Sequence, residues 1–124
     1  MTSAPAVRWG FLGAGFVATR ALGPAVHAAD GARLQAAAAR DPRRARALQP
    51  AGATYDDYRA LLADPEVDVV YIALANDDHL PWTLAALAAG KHVLCEKPLG
   101  LDADQVAQIA RAATASHRWA AETA

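Results

Sequence analysis

The sequence predicts an α/β domain, a doubly wound parallel sheet of about five to six strands with helices on both faces. Three observations carry that expectation. Apolar strand-like runs and helical runs alternate five times along the 124 residues, with short connections. The run VDVVYIAL at 67–74 is β-branched and nearly all apolar, as a strand covered on both faces must be. No internal repeat or low-complexity linker interrupts the rhythm.

Each element can be justified in order. VRWGFL at 7–12 is a short apolar run that ends at glycines, which reads as a buried strand. FVATRALGPAVHAAD at 16–30 follows as a helix, expected to be interrupted at Gly23-Pro24 because proline breaks the backbone ladder. ARLQAAAA at 32–39 is ambiguous by periodicity alone, since alanine suits buried and exposed positions alike. Its place between Asp30-Gly31 and Arg40-Asp41-Pro42 makes it the second strand. PRRARAL at 42–48 is a short helix with Pro42 in its first turn, where a missing N–H costs little. A brief strand at 53–55 precedes a helix at 56–63, which ends before Asp64-Pro65.

After the strand at 67–74, the segment 79–90 carries Leu80, Leu84, Leu87 and Ala88 at helical spacing. Asp78 is its candidate N-cap and Gly90 its stop. HVLC at 92–95 is a fifth strand, and 101–115 is a last helix opened by a box-like Asp102 and Gln105. The domain therefore spans 1–113. The tail at 114–124 has no β-branched run and no period, and does not read as a sixth strand.

Composition bounds the function. The chain is 54% hydrophobic and 20% charged, which favours folding over disorder. A net charge of −1 gives no electrostatic footing for nucleic acid or an anionic membrane. The single cysteine, Cys95, cannot form an internal disulfide or a cysteine-based zinc site, and no metal is expected. No N-terminal apolar stretch has the length of a signal peptide or membrane span, so a cytoplasmic location is the expectation.

Gly13, Gly15 and Ala18 form G-x-G-x-x-A between the first strand and the first helix. A ligand-free tight turn is the alternative, but the motif sits where a dinucleotide fold puts it. Gly13 permits the turn, Gly15 lets a pyrophosphate approach the backbone, and Ala18 allows close helix-strand packing. The N–H groups at the helix start, around Phe16 and Val17, then face the phosphates. At the end of the second strand an acidic residue would accept from a ribose 2′-hydroxyl. Here Ala39 and Arg40 stand instead, with Arg43 and Arg44 behind, which leans towards NADP over NAD. Arg43 and Arg44 have a second reading as residues that merely solvate a helix start, and Asp41 as an N-cap.

LANDDH at 74–79 and CEKP at 95–98 follow the fourth and fifth strands. In an open parallel sheet both fall on the edge that carries the glycine turn. The segments GFLGAGFVA, AARDPRRARAL, YDDYRALLADPEVDVVYIALANDDH and AALAAGKHVLCEKPLGLDADQ match, in order and spacing, the N-terminal domain of the Gfo/Idh/MocA oxidoreductases. The chain resembles that family from about Val7 to about Ala113.

The resemblance implies a Rossmann domain of an NAD(P)-dependent enzyme that oxidises or reduces a sugar, polyol or related carbonyl compound. It places Gly13, Gly15 and Ala18 on the phosphate turn and Arg40 on the adenosine ribose. Asn76 and His79 fall beside the cofactor, and Glu96 near the nicotinamide ribose. By the same resemblance Lys97 falls on the family's catalytic lysine, next to Pro98, whose preceding peptide bond is often cis in the family. An ammonium there can polarise a carbonyl or stabilise an alkoxide. The competing readings are an ion pair of Lys97 with Glu96, and a helix-capping role for His79. His27, His92 and His117 read as surface or filler residues, and Cys95 as buried rather than nucleophilic.

The family continues into a C-terminal α+β domain that supplies the substrate pocket and oligomer interface, and the chain ends before it. The expectation is therefore a truncated chain that binds the dinucleotide but turns over little substrate, because proximity governs hydride transfer. A missing sixth strand would leave an open sheet edge inviting self-association as a homo-oligomer. A non-catalytic nucleotide-binding module or regulatory partner is the alternative reading.

Overall fold

The computed structural model describes residues 5–123. Six strands lie parallel in one sheet: β1 Val7–Leu12, β2 Ala32–Ala38, β3 Ala53–Tyr55, β4 Val69–Ile72, β5 His92–Cys95 and β6 Ala120–Glu122. Their order is β3-β2-β1-β4-β5-β6. The helices are α1 Gly23–Ala28, α2 Pro42–Ala47, α3 Tyr58–Leu62, α4 His79–Ala88 and α5 Ala103–Ser116. This is the doubly wound architecture the alternation implied.

Strand periodicity sorts the core into two layers. Phe11 and Tyr71 point to one face, packed edge to face at 4.9 Å, and join Val26, Leu34, Ala37 and Ala45. Leu12, Val70 and Ile72 point to the other, with Leu61, Leu87, Val93 and Ile109. Burying each of the larger side chains contributes roughly 1.5–3 kcal/mol. The alanine-rich β2 is a strand because its neighbours make it one. Ala36, Ala37 and Ala38 are fully buried between β1 and β3.

Three helix starts follow their caps. The carboxylates of Asp41, Asp57 and Asp102 accept from the backbone N–H of Arg43, Arg59 and Gln105. The Gln105 side-chain oxygen in turn accepts from Leu101 N–H. Asp78 does not act as a side-chain cap. A 3₁₀ turn over Asn76–Asp78 leads into α4, so Asp78 already has helical backbone and its carboxylate makes no capping bond.

Two further expectations are corrected. The first helix is not broken at Gly23-Pro24. It widens instead into a π-helical stretch, Ala18–Leu22, in which Gly23 N–H reaches Ala18 O, and then continues through Pro24. The wider turn makes room for a ring that would collide with an ordinary helical turn. Gly23 is needed there, since a Cβ would lie 2.7 Å from Ala18 O.

The second correction concerns the tail, which does supply a sixth strand. β6 pairs with β5 through Val93 N–H to Trp119 O and Thr123 N–H to Cys95 O, both 3.0 Å. Its sequence has no strand propensity to read, and the open edge of β5 imposes the conformation. The edge expected to be bare at β5 is thus covered, and the sheet ends in the three-residue strands β3 and β6.

At the N-terminal edge of the sheet, Lys91 is only 6% exposed. Its Nζ donates to the carbonyls of Asp64 at 2.6 Å and Val67 at 2.8 Å, fixing the turn that feeds β4. Burial pushes its pKa down, against the pull of Asp64 and Asp68. Replacing it by methionine keeps the volume and removes both donors. Lys91→Met should lower the unfolding free energy by about 2–3 kcal/mol in urea titrations. A loss below about 0.5 kcal/mol would show that the two carbonyls do not depend on this lysine.

Candidate active site at the carboxyl edge of the sheet

The ladder hydrogen bonds run one residue past each central strand. Gly13 N–H reaches Ala38 O, Ala73 N–H reaches Leu12 O, and Glu96 N–H reaches Ile72 O, all at 2.9 Å. The glycine turn, the corner after β4 and the loop after β5 therefore leave the sheet side by side. Lys97 stands on the same edge as Gly13.

Gly13 has φ +95°, and a Cβ there would lie 2.4 Å from Ala73 O, so the turn admits no side chain. Gly15 is different. A Cβ built on it meets nothing within 4 Å. The chain has left open space over the backbone at the helix start, where a phosphate can approach. Thr19 Oγ1 donates to Gly15 O at 2.9 Å and steadies this turn. Phe16 is 74% exposed, with the Arg20 guanidinium 5.3 Å above its ring, and Val17 is also exposed.

A groove of about 510 Å³ opens beside the turn. Gly13–Gly15 form one wall, the end of β2 with Arg40 and Arg44 another, and Ala73–Ala75 with Asp78 the floor and far side. Tyr58 closes one end, its ring edge-on to Trp82 at 5.3 Å. A smaller recess of about 300 Å³ continues past Gly15, Phe16 and Thr19, and Arg44 lines it too. The arginines thus separate. Arg40 and Arg44 face the groove, whereas Arg43 is paired with Asp41 at 3.1 Å and its side chain is 83% exposed. The Arg43 guanidinium holds the Asp41 carboxyl below its ordinary range.

A larger groove, about 980 Å³, lies at the opposite edge. Its basic groups are largely committed. Arg8 is paired with Asp68 and Glu66, Lys91 with two carbonyls, and Arg118 Nε with Gly90 O. Open space over a glycine turn and uncommitted arginines point to the carboxyl edge.

Along that edge the expected residues take different places. Asn76 is exposed in its 3₁₀ turn. His79 is 1% exposed and lies behind the surface. Its Nδ1 is 2.6 Å from Pro98 O and its Nε2 is 2.9 Å from Leu74 O, so the ring ties the β4 corner to the β5 loop and reaches neither groove. Glu96 also turns inward. It accepts from the Tyr71 hydroxyl and, at 2.7 Å, from Thr123 Oγ1.

Lys97 forms no ion pair with Glu96, and among the described residues its ammonium has no carboxylate within 4.0 Å. It is exposed, and the Lys97-Pro98 peptide is cis. Cys95 is fully buried, and burial pushes its thiol up to about 11, leaving it protonated and unreactive. Among the described residues no three His, Cys, Asp or Glu side chains gather as metal ligands would.

Tyr58, Tyr71 and Thr123 escaped the sequence reading as site residues, and Arg44, which it left open between cofactor contact and helix-start solvation, lines the groove. Tyr58 opens α3 just after the capping Asp57, and its place near the end of β3 was its one available signal.

A family model described as an oxidoreductase family with an NAD-binding Rossmann fold matches residues 7–122. An uncharacterized oxidoreductase of Rhizobium meliloti is 42% identical over 106 residues, covering 83% of this chain and 32% of that protein. D-xylose 1-dehydrogenase (NADP(+)) 2 of Haloferax volcanii is 41% identical over 104 residues, covering 82% and 32%. Among solved structures, KijD10, a 3-ketoreductase from Actinomadura kijaniata in complex with NADP and TDP-benzene, superposes with a TM-score of 0.91. It is 34% identical, over 95% of this chain and 37% of that one. The chain spans about a third of the length of the curated relatives it matches.

Burial by itself raises the pKa of Glu96, but the hydroxyls of Tyr71 and Thr123 and the Lys97 N–H outweigh it, and the carboxyl titrates below its ordinary 4.5. Its stabilising contribution is present above 4.5 and is lost as pH falls through the lowered value. Tyr71→Phe should therefore lower the unfolding temperature at pH 7, by a gap that narrows as pH drops below 4.5. Thermal unfolding across pH 2–7 checks this, and a gap independent of pH would mean the hydroxyl does not support the charged carboxylate.

Proposed function

The chain belongs to the Gfo/Idh/MocA oxidoreductase family, and from that premise we propose that it binds NADP at its carboxyl edge. There it serves the oxidation or reduction of a sugar, polyol or related carbonyl compound. The observation that carries the cofactor reading is the open space over Gly15, beside a groove walled by Arg40 and Arg44. Backbone N–H groups at the start of the first helix take the pyrophosphate. Arg40 and Arg44 bring two positive charges to the side of the groove where β2 ends, and Asp41, the carboxylate lining that side, is already paired with Arg43 rather than left to accept from a 2′-hydroxyl. This favours a 2′-phosphate, and the NADP named for two of the relatives is in keeping with it.

The nicotinamide, when bound, supplies or accepts the hydride. This chain contributes Lys97, an exposed ammonium at the end of β5, to polarise the carbonyl oxygen or to steady the alkoxide. Asn76 offers its amide from the neighbouring corner. His79 and Glu96 act from behind, by fixing the two loops on which those groups stand. The sugar-like substrate class is supported by the dehydrogenase and ketoreductase activities named for the relatives.

Titration with NADPH and NADH, followed by nucleotide fluorescence, tests the reading. NADPH should bind about tenfold tighter than NADH, equivalent to about 1.4 kcal/mol. Gly15→Asp should abolish binding of both, and Arg40→Asp should shift preference towards NADH. Failure of the unmodified chain to bind either nucleotide at millimolar concentration would remove the cofactor site. An unchanged ratio in Arg40→Asp would remove only the preference for NADP.

A further inference from the structure

We propose that Glu122 and Thr123, at the end of β6, are positioning residues that hold Lys97 for the nicotinamide half of the cofactor. The inference rests on the nucleotide-site reading above. It starts from the four consecutive residues 96–99, each of which is tethered. Thr123 Oγ1 donates to Glu96 Oε1 at 2.7 Å and accepts from Lys97 N–H at 3.3 Å. Pro98 O faces His79 Nδ1 at 2.6 Å, and Leu99 N–H donates to Glu122 Oε2 at 2.9 Å. The one charged side chain of the loop that is left exposed with no charged partner among the described residues is that of Lys97.

The direction of these bonds is set by chemistry. A carboxylate only accepts, so the one hydroxyl proton of Thr123 goes to Glu96, and its lone pair is left for the Lys97 amide. The bond from Leu99 N–H to Glu122 is charge-assisted, and so is among the stronger ones available at an exposed site. Neither side chain is required to place β6. Its register is already held by backbone bonds from Val93 to Trp119 and from Thr123 to Cys95. What the two side chains add falls entirely on the loop that carries Lys97.

The test compares two ligands: NADPH, and 2′,5′-ADP, which has the adenosine half alone. Thr123→Ala and Glu122→Ala should each weaken NADPH by about three- to tenfold, the effect of one lost hydrogen bond. Affinity for 2′,5′-ADP should stay within about twofold, because its groove lies at Gly15 and Arg40. Thr123→Ser and Glu122→Gln retain an acceptor for the loop amides and should restore NADPH affinity. Amide hydrogen exchange at Leu99 should quicken in Glu122→Ala and recover in Glu122→Gln.

Equal weakening of both ligands would mean a general structural defect and overturn the proposal. So would unchanged NADPH affinity in both alanine variants, or equal affinity of the unmodified chain for the two ligands. An unmodified chain that binds neither ligand would sink the nucleotide site itself and this proposal with it.

Discussion

The parallel ladder between β1, β4 and β5 is the constraint on which the rest depends. Each strand keeps its bonding for one residue beyond the regular sheet, so Gly13, Ala73 and Glu96 are locked in line before their loops diverge. Loops that leave a sheet in register can place side chains with little freedom to drift, which is what a site built on strand ends requires. The edge-to-face packing of Phe11 and Tyr71 supports that line from one face, and Leu12 and Ile72 support it from the other. The same tyrosine that fills the core also presents its hydroxyl to Glu96. Core and site are therefore one network.

Much of this could be read from the chain because the relevant signals are local. The G-x-G-x-x-A spacing, the β-branched run of β4 and the capping aspartates at 41 and 102 act within a few residues of themselves. What escaped was set by contacts that only the folded chain selects. The direction of the His79 ring is decided by carbonyls at Leu74 and at Pro98, the second 19 residues away. Arg43 and Arg44 are alike in sequence, and only the capping bond to Asp41 draws one away from the groove and leaves the other beside it. β6 has no propensity of its own and exists because β5 offered an unpaired edge. The widened turn at Ala18–Leu22 answers a proline ring whose collision could be foreseen, though its resolution could not.

The two edges of the sheet treat the same side-chain type in opposite ways. Lys91 enters β5 buried, with its ammonium donating to carbonyls and its charge disfavoured by desolvation. Lys97 leaves β5 in the open, with its backbone pinned and its charge uncommitted among the described residues. A buried ammonium satisfied by carbonyls rigidifies a turn. One held at the surface by its main chain stays available to something else. The contrast leaves one ammonium committed within the fold and the other free at the surface.

The two glycines of the turn also differ in kind. Gly13 is compelled by its own neighbours, through a left-handed backbone and a carbonyl that would collide with any added carbon. Gly15 is under no such compulsion, since its backbone is ordinary and the space above it is empty. Selection for a well-behaved, soluble protein would purge changes at the first position and be blind to changes at the second. A laboratory lineage propagated for thermal robustness alone would thus be expected to let position 15 wander while position 13 stayed glycine, and to lose its ligand before losing its shape.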